Sequence, residues 1–189
     1  ISGHTNSGVG FKSLRANTTG FWNSSVGVSS LFFNTSGGYN SAFGVNALYS
    51  NTSGDFNSAF GVNALYSNNG ANNSALGFRA GLGLTTGSNN VFIGYKAGDT
   101  SQVGTVENSI ALGKEAFTTL SNQIVIGNNS ITQTLLKGNV GIGVTTSNAV
   151  LHLKAGTVTA NTAPLKFTSG TNLTTPEAGA IEYDGTNLF

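Results

Sequence analysis

The chain has 189 residues, of which 38% are hydrophobic, only 8% are charged and 27 are glycine, and its formal net charge is +1. Disordered chains combine low hydrophobicity with high net charge, so this composition predicts a chain that folds. The near-zero net charge and the absence of cysteine give no basis for nucleic-acid binding, for disulfides or for thiolate metal sites.

A phrase of 17 residues recurs along the first half of the chain. Residues 34–50 and 51–67 differ at only two positions. The glycine of an Asn-x-x-x-Gly pattern recurs at spacings of 17, 17, 17, 16 and 17 residues, at Gly10, Gly27, Gly44, Gly61, Gly77 and Gly94. Short fixed periods are typical of solenoids, in which like residues stack on like residues. Each repeat is therefore predicted to form one coil of a β-solenoid, with a strand, a bend, a short second segment and a turn.

Two columns of large apolar residues flank the repeated glycine. The residue before it is Val9, Val26, Phe43, Phe60, Leu76 and Ile93, and the residue after it is Phe11, Val28, Val45, Val62, Phe78 and Tyr95. Strand alternation places both columns on one face, and it places the glycines and small residues such as Ala42 on the other. We expect the large side chains, including Phe43, to form the core. The small-residue face is expected either to admit the backbone of another chain or merely to fit a narrow coil.

Asparagine and leucine form two further columns. The leucine column, four residues after the glycine, is Leu14, Leu31, Leu48 and Leu65. The asparagine column is Asn6, Asn23, Asn40, Asn57, Asn73 and Asn90. Stacked amides bond one another in ladders, so the asparagines are expected to position turns rather than ligands.

The repeat changes after residue 98. In the later copies the apolar pair lies three and one residues before the glycine, as Ile110 and Leu112 do, instead of on either side of it. Val91, Ile93 and Tyr95 carry all three positions, so their coil is the predicted transition. Because the shift is two residues, the pair is expected to stay on the same face of the strand.

Three regions and an all-β fold are predicted. Residues 1–98 carry the 17-residue β-roll repeats, residues 99–143 an insertion and modified β-roll repeats, and residues 144–189 a short-strand trimeric connector or shaft. In the last region, turn residues separate short segments in which apolar and polar residues alternate. These segments have too few apolar residues to form a hydrophobic core within one chain. We therefore expect a repetitive β-solenoid or trimeric β-roll, followed by an intertwined short-strand β shaft whose strands pack against other copies of the chain.

Two resemblances carry an expectation of function. The phrases NSAFGVNALYSNTSGDFNSAFG, NSALGFRAG, and ENSIALGKEAF followed by SNQIVIGN resemble the head repeats of trimeric autotransporter adhesins, which form a trimeric left-handed β-roll. The stretches GNVGIGVTTSNAVLHLKAG and TAPLKFTSGTNLTTPEAGAIEYDGTNLF resemble segments common in phage tail fibres, where they precede an intramolecular chaperone. Together the resemblances imply a homotrimeric extracellular fibre, on a virion tail or a cell surface, that mediates attachment to a cell. The C-terminal segment favours a phage or phage-like tail fibre over a bacterial adhesin.

No catalytic residue, cofactor or metal site is predicted. His4 and His152 have no His, Asp or Glu partner at ligand spacing, and Glu182 and Asp184 are expected to lie on a solvated face. Abundant serines without a His-Asp arrangement are typical turn formers. We therefore expect that the chain is not an enzyme. No run of 18 apolar residues occurs, so no membrane insertion is expected in this segment.

Three aromatic residues are the candidate binding site. Trp22, Tyr39 and Phe56 occupy the position immediately before the repeat asparagine. Stacked aromatics at a turn combine flat apolar surface with a polar edge, which suits sugar rings and protein interfaces alike. We expect them to contact a cell-surface glycan or protein receptor, although the same column is also compatible with covering a strand edge or packing between chains.

A threonine column supports one alternative class of function. Thr18, Thr35 and Thr52 recur at a single phase of the repeat, and Asn69 replaces threonine in the following coil. A regular rank of this kind is compatible with a monomeric β-solenoid that binds a crystal lattice, as ice-binding proteins do.

Overall fold

The computed structural model describes residues 5–99, 104–147 and 149–155. The described residues form short strands joined by bends and turns, and no helix occurs among them. The ten strands are β1 (Ser7–Val9), β2 (Ser24–Val26), β3 (Ser41–Phe43), β4 (Ser58–Phe60), β5 (Ser74–Leu76), β6 (Val91–Ile93), β7 (Ile110–Leu112), β8 (Ile124–Ile126), β9 (Val140–Ile142) and β10 (Leu151–Leu153).

The first eight strands make one parallel sheet in strict sequence order, from β1 to β8. Equivalent residues pair in register: Ala42 of β3 lies beside Ala59 of β4, and Phe43 lies beside Phe60. One strand per coil, paired in parallel with the strand of the next coil, defines a β-solenoid, so the predicted all-β solenoid is confirmed. Each of these eight strands belongs to one coil, and we number the coils 1 to 8 after the strands β1 to β8.

The chain divides into two compact units, Ile1–Thr132 and Gln133–Phe189. The first holds coils 1 to 8. In the second, β9 and β10 form a two-stranded parallel sheet in which His152 pairs with Gly141. Most of the predicted shaft, from residue 156 onward, lies outside the described residues. The predicted boundaries at 98/99 and 143/144 therefore stay predictions.

The expected assignment of faces was wrong. Ala42 and Ala59 are fully buried, whereas Phe43 and Phe60 are 37% and 41% exposed. Ala42 and Ala59 belong to one buried cluster with Ala47 and the leucines of the bends, so the strand position has room only for a small side chain where the bend carries leucine. The narrow-coil explanation of the small residues is therefore the correct one. The large residues lie on the outside of the chain.

The leucine column fills the remaining interior from unusual backbone positions. Leu31, Leu48 and Leu65 are fully buried, with φ angles of 49°, 52° and 49°. The left-handed conformation costs an L-residue roughly 1 to 2 kcal/mol, and burial of a leucine contributes about as much or more. Burial therefore offsets the cost of the conformation at these positions.

Phe92 replaces two leucines of this core. Gly81 and Gly98 stand where coils 3 and 4 have Leu48 and Leu65, and Phe92 stands where those coils have alanine. A Cβ atom at Gly81 would lie 2.9 Å from the Phe92 ring, and one at Gly98 would overlap the same ring. One inward-facing phenylalanine thus occupies the space that the two missing leucines leave.

The predicted asparagine column joins successive coils. The Asn40 side chain donates to the carbonyl of Gly54 at 2.8 Å and accepts the backbone N–H of Asn57 at 2.9 Å. The backbone N–H of Asn40 donates to the side chain of Asn23 at 3.0 Å. This ladder mainly links side-chain amides to backbone groups, rather than amide to amide.

A second asparagine column forms the amide-to-amide ladder. Asn34 donates to Oδ1 of Asn17 at 2.8 Å, and Asn51 donates to Oδ1 of Asn34 at 2.9 Å. All three side chains are buried. Together the two ladders satisfy most polar atoms of the buried asparagines, although Oδ1 of Asn51 accepts no hydrogen bond.

The repeated glycines allow the coils to approach closely. Gly44 has a φ angle of 141°, and a Cβ atom there would lie 2.5 Å from the carbonyl oxygen of Gly61 in the next coil. An L-residue at this position would meet both a strained backbone and a clash. The glycine column therefore maintains the spacing between coils.

Candidate functional site

The predicted aromatic residues lie together on the surface of coils 2 to 4. The rings of Tyr39 and Phe56 stack with centroids 4.7 Å apart, and Trp22 meets Tyr39 edge to face at 5.2 Å. Phe21 also contacts Tyr39 edge to face at 5.2 Å, although sequence reasoning had not included it. Trp22 is 58% exposed and Phe56 is 54% exposed. We call these four residues the aromatic column.

Three members of the aromatic column occupy left-handed backbone positions. The φ angles of Trp22, Tyr39 and Phe56 are 55°, 57° and 57°. Coils 5 to 8 have asparagine at the same position, which tolerates this conformation better than a bulky residue does. The equivalent residues are Asn72, Asn89, Asn108 and Asn122. The fold therefore accepts asparagine here, and the exposed aromatic rings are not required to build the coil.

The stacking geometry decides which ring surfaces are free. The parallel rings of Tyr39 and Phe56 cover one face of each other, so each of these two rings keeps its edge and at most one face free. Beside them Oδ1 of Asp55 accepts the backbone N–H of Gly38 at 2.7 Å. A surface of aromatic edges with polar groups beside it is chemically suited to a carbohydrate or to a protein surface.

A second aromatic group was missed in the sequence. Phe32 stacks on Tyr49 at 5.2 Å, and Tyr49 stacks on Tyr66 at 5.0 Å. Phe33 lies edge to face with Phe32 at 4.6 Å, and the Arg15 guanidinium lies 5.3 Å from the centre of the Phe32 ring. The signal that identifies this group is the position after the leucine column, which carries an aromatic residue in three consecutive coils.

Exposed apolar residues recur in every coil on the outer surface beside the strands. It comprises three columns, which we call the outer strip. Column 1, three residues before the repeat glycine, is Ser7, Ser24, Ser41, Ser58, Ser74, Val91, Ile110 and Ile124. Column 2, immediately before the glycine, is Val9, Val26, Phe43, Phe60, Leu76, Ile93, Leu112 and Ile126. Column 3, immediately after the glycine, is Phe11, Val28, Val45, Val62, Phe78, Tyr95, Lys114 and Asn128.

Most large side chains of the outer strip are exposed in the single chain. Column 2 ranges from 37% exposed at Phe43 to 63% at Val9, and the apolar members of column 3 range from 41% to 68%. Monomeric proteins rarely expose a contiguous apolar surface that runs through every repeat. The outer strip is therefore a candidate interaction surface, and its large apolar residues are those that were expected in the core.

The threonine column uses its hydroxyls within the solenoid. Thr18 donates to the carbonyl of Thr35 at 2.9 Å, and Thr35 donates to the carbonyl of Thr52 at 2.9 Å. In the next coil, whose turn is one residue shorter, Oδ1 of Asn69 takes the place of that carbonyl and accepts from the Thr52 hydroxyl at 2.9 Å. These hydroxyls bond the neighbouring coil, which leaves them less available to an external lattice.

The described residues contain few groups that are arranged for chemistry. No cluster of three or more His, Cys, Asp or Glu side chains that would hold a metal ion occurs among them. Arg79 pairs with Asp99 at 3.0 Å, and this pair lies between neighbouring coils. A cavity of about 600 Å³ at coil 8 contains a single carboxylate, that of Glu115.

Several of the residues considered in the sequence lie in other surroundings. His152 is half-buried in β10. His4, Glu182 and Asp184 lie outside the described residues. Within the part of the chain that the structure describes, no helix has the length and apolar character that crossing a membrane requires.

Comparison with protein-family models, with curated proteins and with solved structures finds no match to this chain. The repeat, the aromatic column and the outer strip are therefore the features of the molecule that bear on its function.

Proposed function

We propose that the chain is a structural segment of an extracellular homotrimeric fibre, a phage or phage-like tail fibre, that attaches to a cell surface. The coils supply length and stiffness, because each coil is bonded to the next by parallel strand pairing and by buried asparagine ladders. The aromatic column supplies part of the receptor contact. This assignment includes no catalytic step.

The exposed outer strip is the observation that carries the proposal. A single chain leaves apolar side chains uncovered along all eight coils. They stand in columns 2 and 3 in coils 1 to 5, in all three columns in coil 6, and in columns 1 and 2 in coils 7 and 8. Further copies of the same chain cover this surface in a fibre, and the burial of about 25 cal/mol per Å² of apolar area favours their association. The resemblance of the repeats to trimeric adhesin heads supports three copies.

A bacterial trimeric adhesin is the second candidate function. The same coils and the same outer strip serve it equally well, and it differs in what holds the end of the fibre. The resemblance of the C-terminal segment to phage tail fibres favours the first candidate. A monomeric lattice-binding solenoid ranks third, because the hydroxyls of Thr18 and Thr35 bond to the neighbouring coil.

Sedimentation velocity, combined with electron microscopy of negatively stained particles, tests the proposal. An elongated particle of three chains is the expected result, and fluorescently labelled protein should bind to the surface of susceptible cells. A folded monomer that inhibits the growth of ice crystals would instead support the lattice-binding alternative.

A further inference from the structure

The apolar part of the outer strip changes position along the solenoid. In coils 1 to 5, column 1 is always serine, and the apolar residues stand in columns 2 and 3. In coils 7 and 8, Ile110 and Ile124 make column 1 apolar, whereas Lys114 and Asn128 make column 3 polar. Column 2 stays apolar throughout. The apolar pair thus moves by two residues, from the end of the strand and the turn that follows it to the two ends of the strand itself.

Coil 6 is the point at which the change occurs. Val91, Ile93 and Tyr95 fill all three columns, and the strand register is continuous from β5 through β6 to β7. The step is therefore a change of side chains on an unbroken sheet and not a slip of the strands. The buried residue of β7 is Ala111, as small as the alanines of coils 3 to 5, so the size of the inward-facing strand residue does not account for the step.

We infer that the outer strip is covered by parallel, in-register copies of this same chain, and that the line of contact between copies steps sideways at coil 6. This inference rests on the proposed fibre, and it specifies which residues the copies bury. In this arrangement coil 6 determines the axial register between neighbouring copies.

The chemistry of the strip favours a second copy over any other occupant. A partner that buries the strip must offer apolar surface opposite columns 2 and 3 and then, beyond coil 6, opposite columns 1 and 2. A parallel copy has the same step at the same height. An antiparallel copy would set the Lys114 ammonium of coil 7 beside the apolar coil 2 of its neighbour, where a buried and unpaired charge is costly.

The near-identity of coils 3 and 4 means that these two coils specify the axial register between copies only weakly. Residues 34–50 and 51–67 are interchangeable at almost every position, so sliding one copy by a single coil changes few contacts there. Weakly specified register is a recognised hazard of repetitive β-structure. A slip of one coil at coils 6 and 7 would instead bring Lys114 opposite Tyr95 and Val91 opposite Ser74.

The strip also has a recess just before the step. A depression of about 240 Å³ lies between coils 4 and 6, lined by Ser58, Phe60, Ser74, Ala75, Leu76 and Ile93. It opens on the outside of the sheet where Leu76 follows the larger Phe60. A depression of this size accommodates an apolar side chain from a neighbouring copy.

Thiol labelling of single-cysteine variants of the full chain tests the step. The chain contains no cysteine, so each variant carries one reporter. Two positions in column 3, Val45→Cys and Lys114→Cys, and two in column 1, Ser41→Cys and Ile110→Cys, form a matched set. The maleimide reaction rate of each folded variant is divided by its rate in denaturant, and the particle mass of each variant is measured separately.

The expected result is a reversal between the two columns. In column 3 the coil 3 variant should react at least about tenfold more slowly than the coil 7 variant, and in column 1 the coil 7 variant should be the slower by a similar factor. Protection of the same column in both coils would contradict the step but would remain consistent with the proposed fibre. Rapid labelling at all four positions in a multi-chain particle would show that copies meet elsewhere. Rapid labelling in a folded monomer would overturn both the inference and the proposed fibre.

Discussion

At the scale of single residues, fully buried asparagines stand beside the alanines and leucines of the core and connect the coils through hydrogen bonds. Asn40 uses its amide nitrogen, its amide oxygen and its backbone N–H to bond three other residues, all in neighbouring coils. A buried polar group that loses its partner costs roughly 1 to 3 kcal/mol. The identity of this side chain therefore contributes to stability beyond its volume.

We predict that Asn40→Ala lowers the free energy of unfolding by roughly 1 to 3 kcal/mol for each polar group that it leaves buried without a partner. The substitution removes the acceptor of the Asn57 N–H and the donor to the Gly54 carbonyl. Urea unfolding followed by circular dichroism measures the change. Asn129→Ala, at an exposed asparagine, is the control and should be nearly neutral. Equal effects for the two variants would contradict the structural role of the ladder.

The aromatic column can be removed without damage to the coil. Because asparagine occupies the same left-handed position in coils 5 to 8, we predict that a Trp22→Asn, Tyr39→Asn, Phe56→Asn variant melts at the same temperature as the parent or higher. If the column contacts a receptor, binding of labelled protein to target cells should fall at least about tenfold, a loss of about 1.4 kcal/mol. Unchanged binding with an intact fold would exclude these rings as the receptor contact.

At the scale of the elements, the interior of each coil is a fixed volume that is filled in two ways. Coils 3 and 4 use alanine on the strand and leucine at the bend, whereas coil 6 uses Phe92 on the strand and Gly98 at the bend. Interiors are close-packed, so a change on one side requires a matching change on the other. The two solutions preserve the spacing of the coils.

We predict that Phe92→Ala lowers the free energy of unfolding by roughly 3 to 5 kcal/mol because it leaves a cavity in coil 6. The double variant Phe92→Ala, Gly98→Leu recreates the alanine and leucine pair of coil 3 and should recover part of that loss. Gly98→Leu alone should be destabilising, since its side chain would overlap the Phe92 ring. Additive effects of the two substitutions in chemical unfolding would contradict this complementarity.

The repeat made the strands predictable, but not their inner and outer faces. The 17-residue period and the in-register columns were sufficient to predict parallel stacking, and the turn residues were sufficient to predict the bends. Alternation between Ala42 and Phe43 separates two faces without showing which one is enclosed. That choice depends on the width of the coil, which is set by the bend containing Ala47 and Leu48 and by the glycine that brings the coils together.

The candidate site was predictable in part. A column of aromatic residues at a constant phase was visible in Trp22, Tyr39 and Phe56. The edge-to-face contact of Phe21 and the second group around Tyr49 depend on how rings on adjacent positions turn towards each other across coils. Linear spacing does not contain that information.

At the scale of the whole molecule, the large apolar residues of the outer strip lie outside the core of the chain, and the proposed fibre covers them by association. Phe43 stacks on Phe60 with ring centroids 4.9 Å apart, and both rings remain partly exposed. In the proposed fibre the stability of the folded chain is expected to rise with its concentration, because association of copies adds to the stability that each coil already has.

We predict that Phe43→Glu dissociates the fibre into folded monomers. The charged side chain stays in solvent in a single chain, but it would be buried without a partner between copies, which costs several kcal/mol. Ser36→Glu introduces the same charge at an exposed turn and is the control, which should leave the assembly intact. Size-exclusion chromatography distinguishes the two results. An unchanged oligomer in Phe43→Glu would mean that the outer strip faces solvent.

The molar mass of the folded chain in solution tests the central claim most directly. Multi-angle light scattering of residues 1–189, with circular dichroism to establish that the sample is folded, provides this mass. The fibre predicts a species of three times 19.2 kDa that persists on dilution. A folded, β-rich particle of 19.2 kDa would contradict it, because the coils would then be stable with their outer strip uncovered.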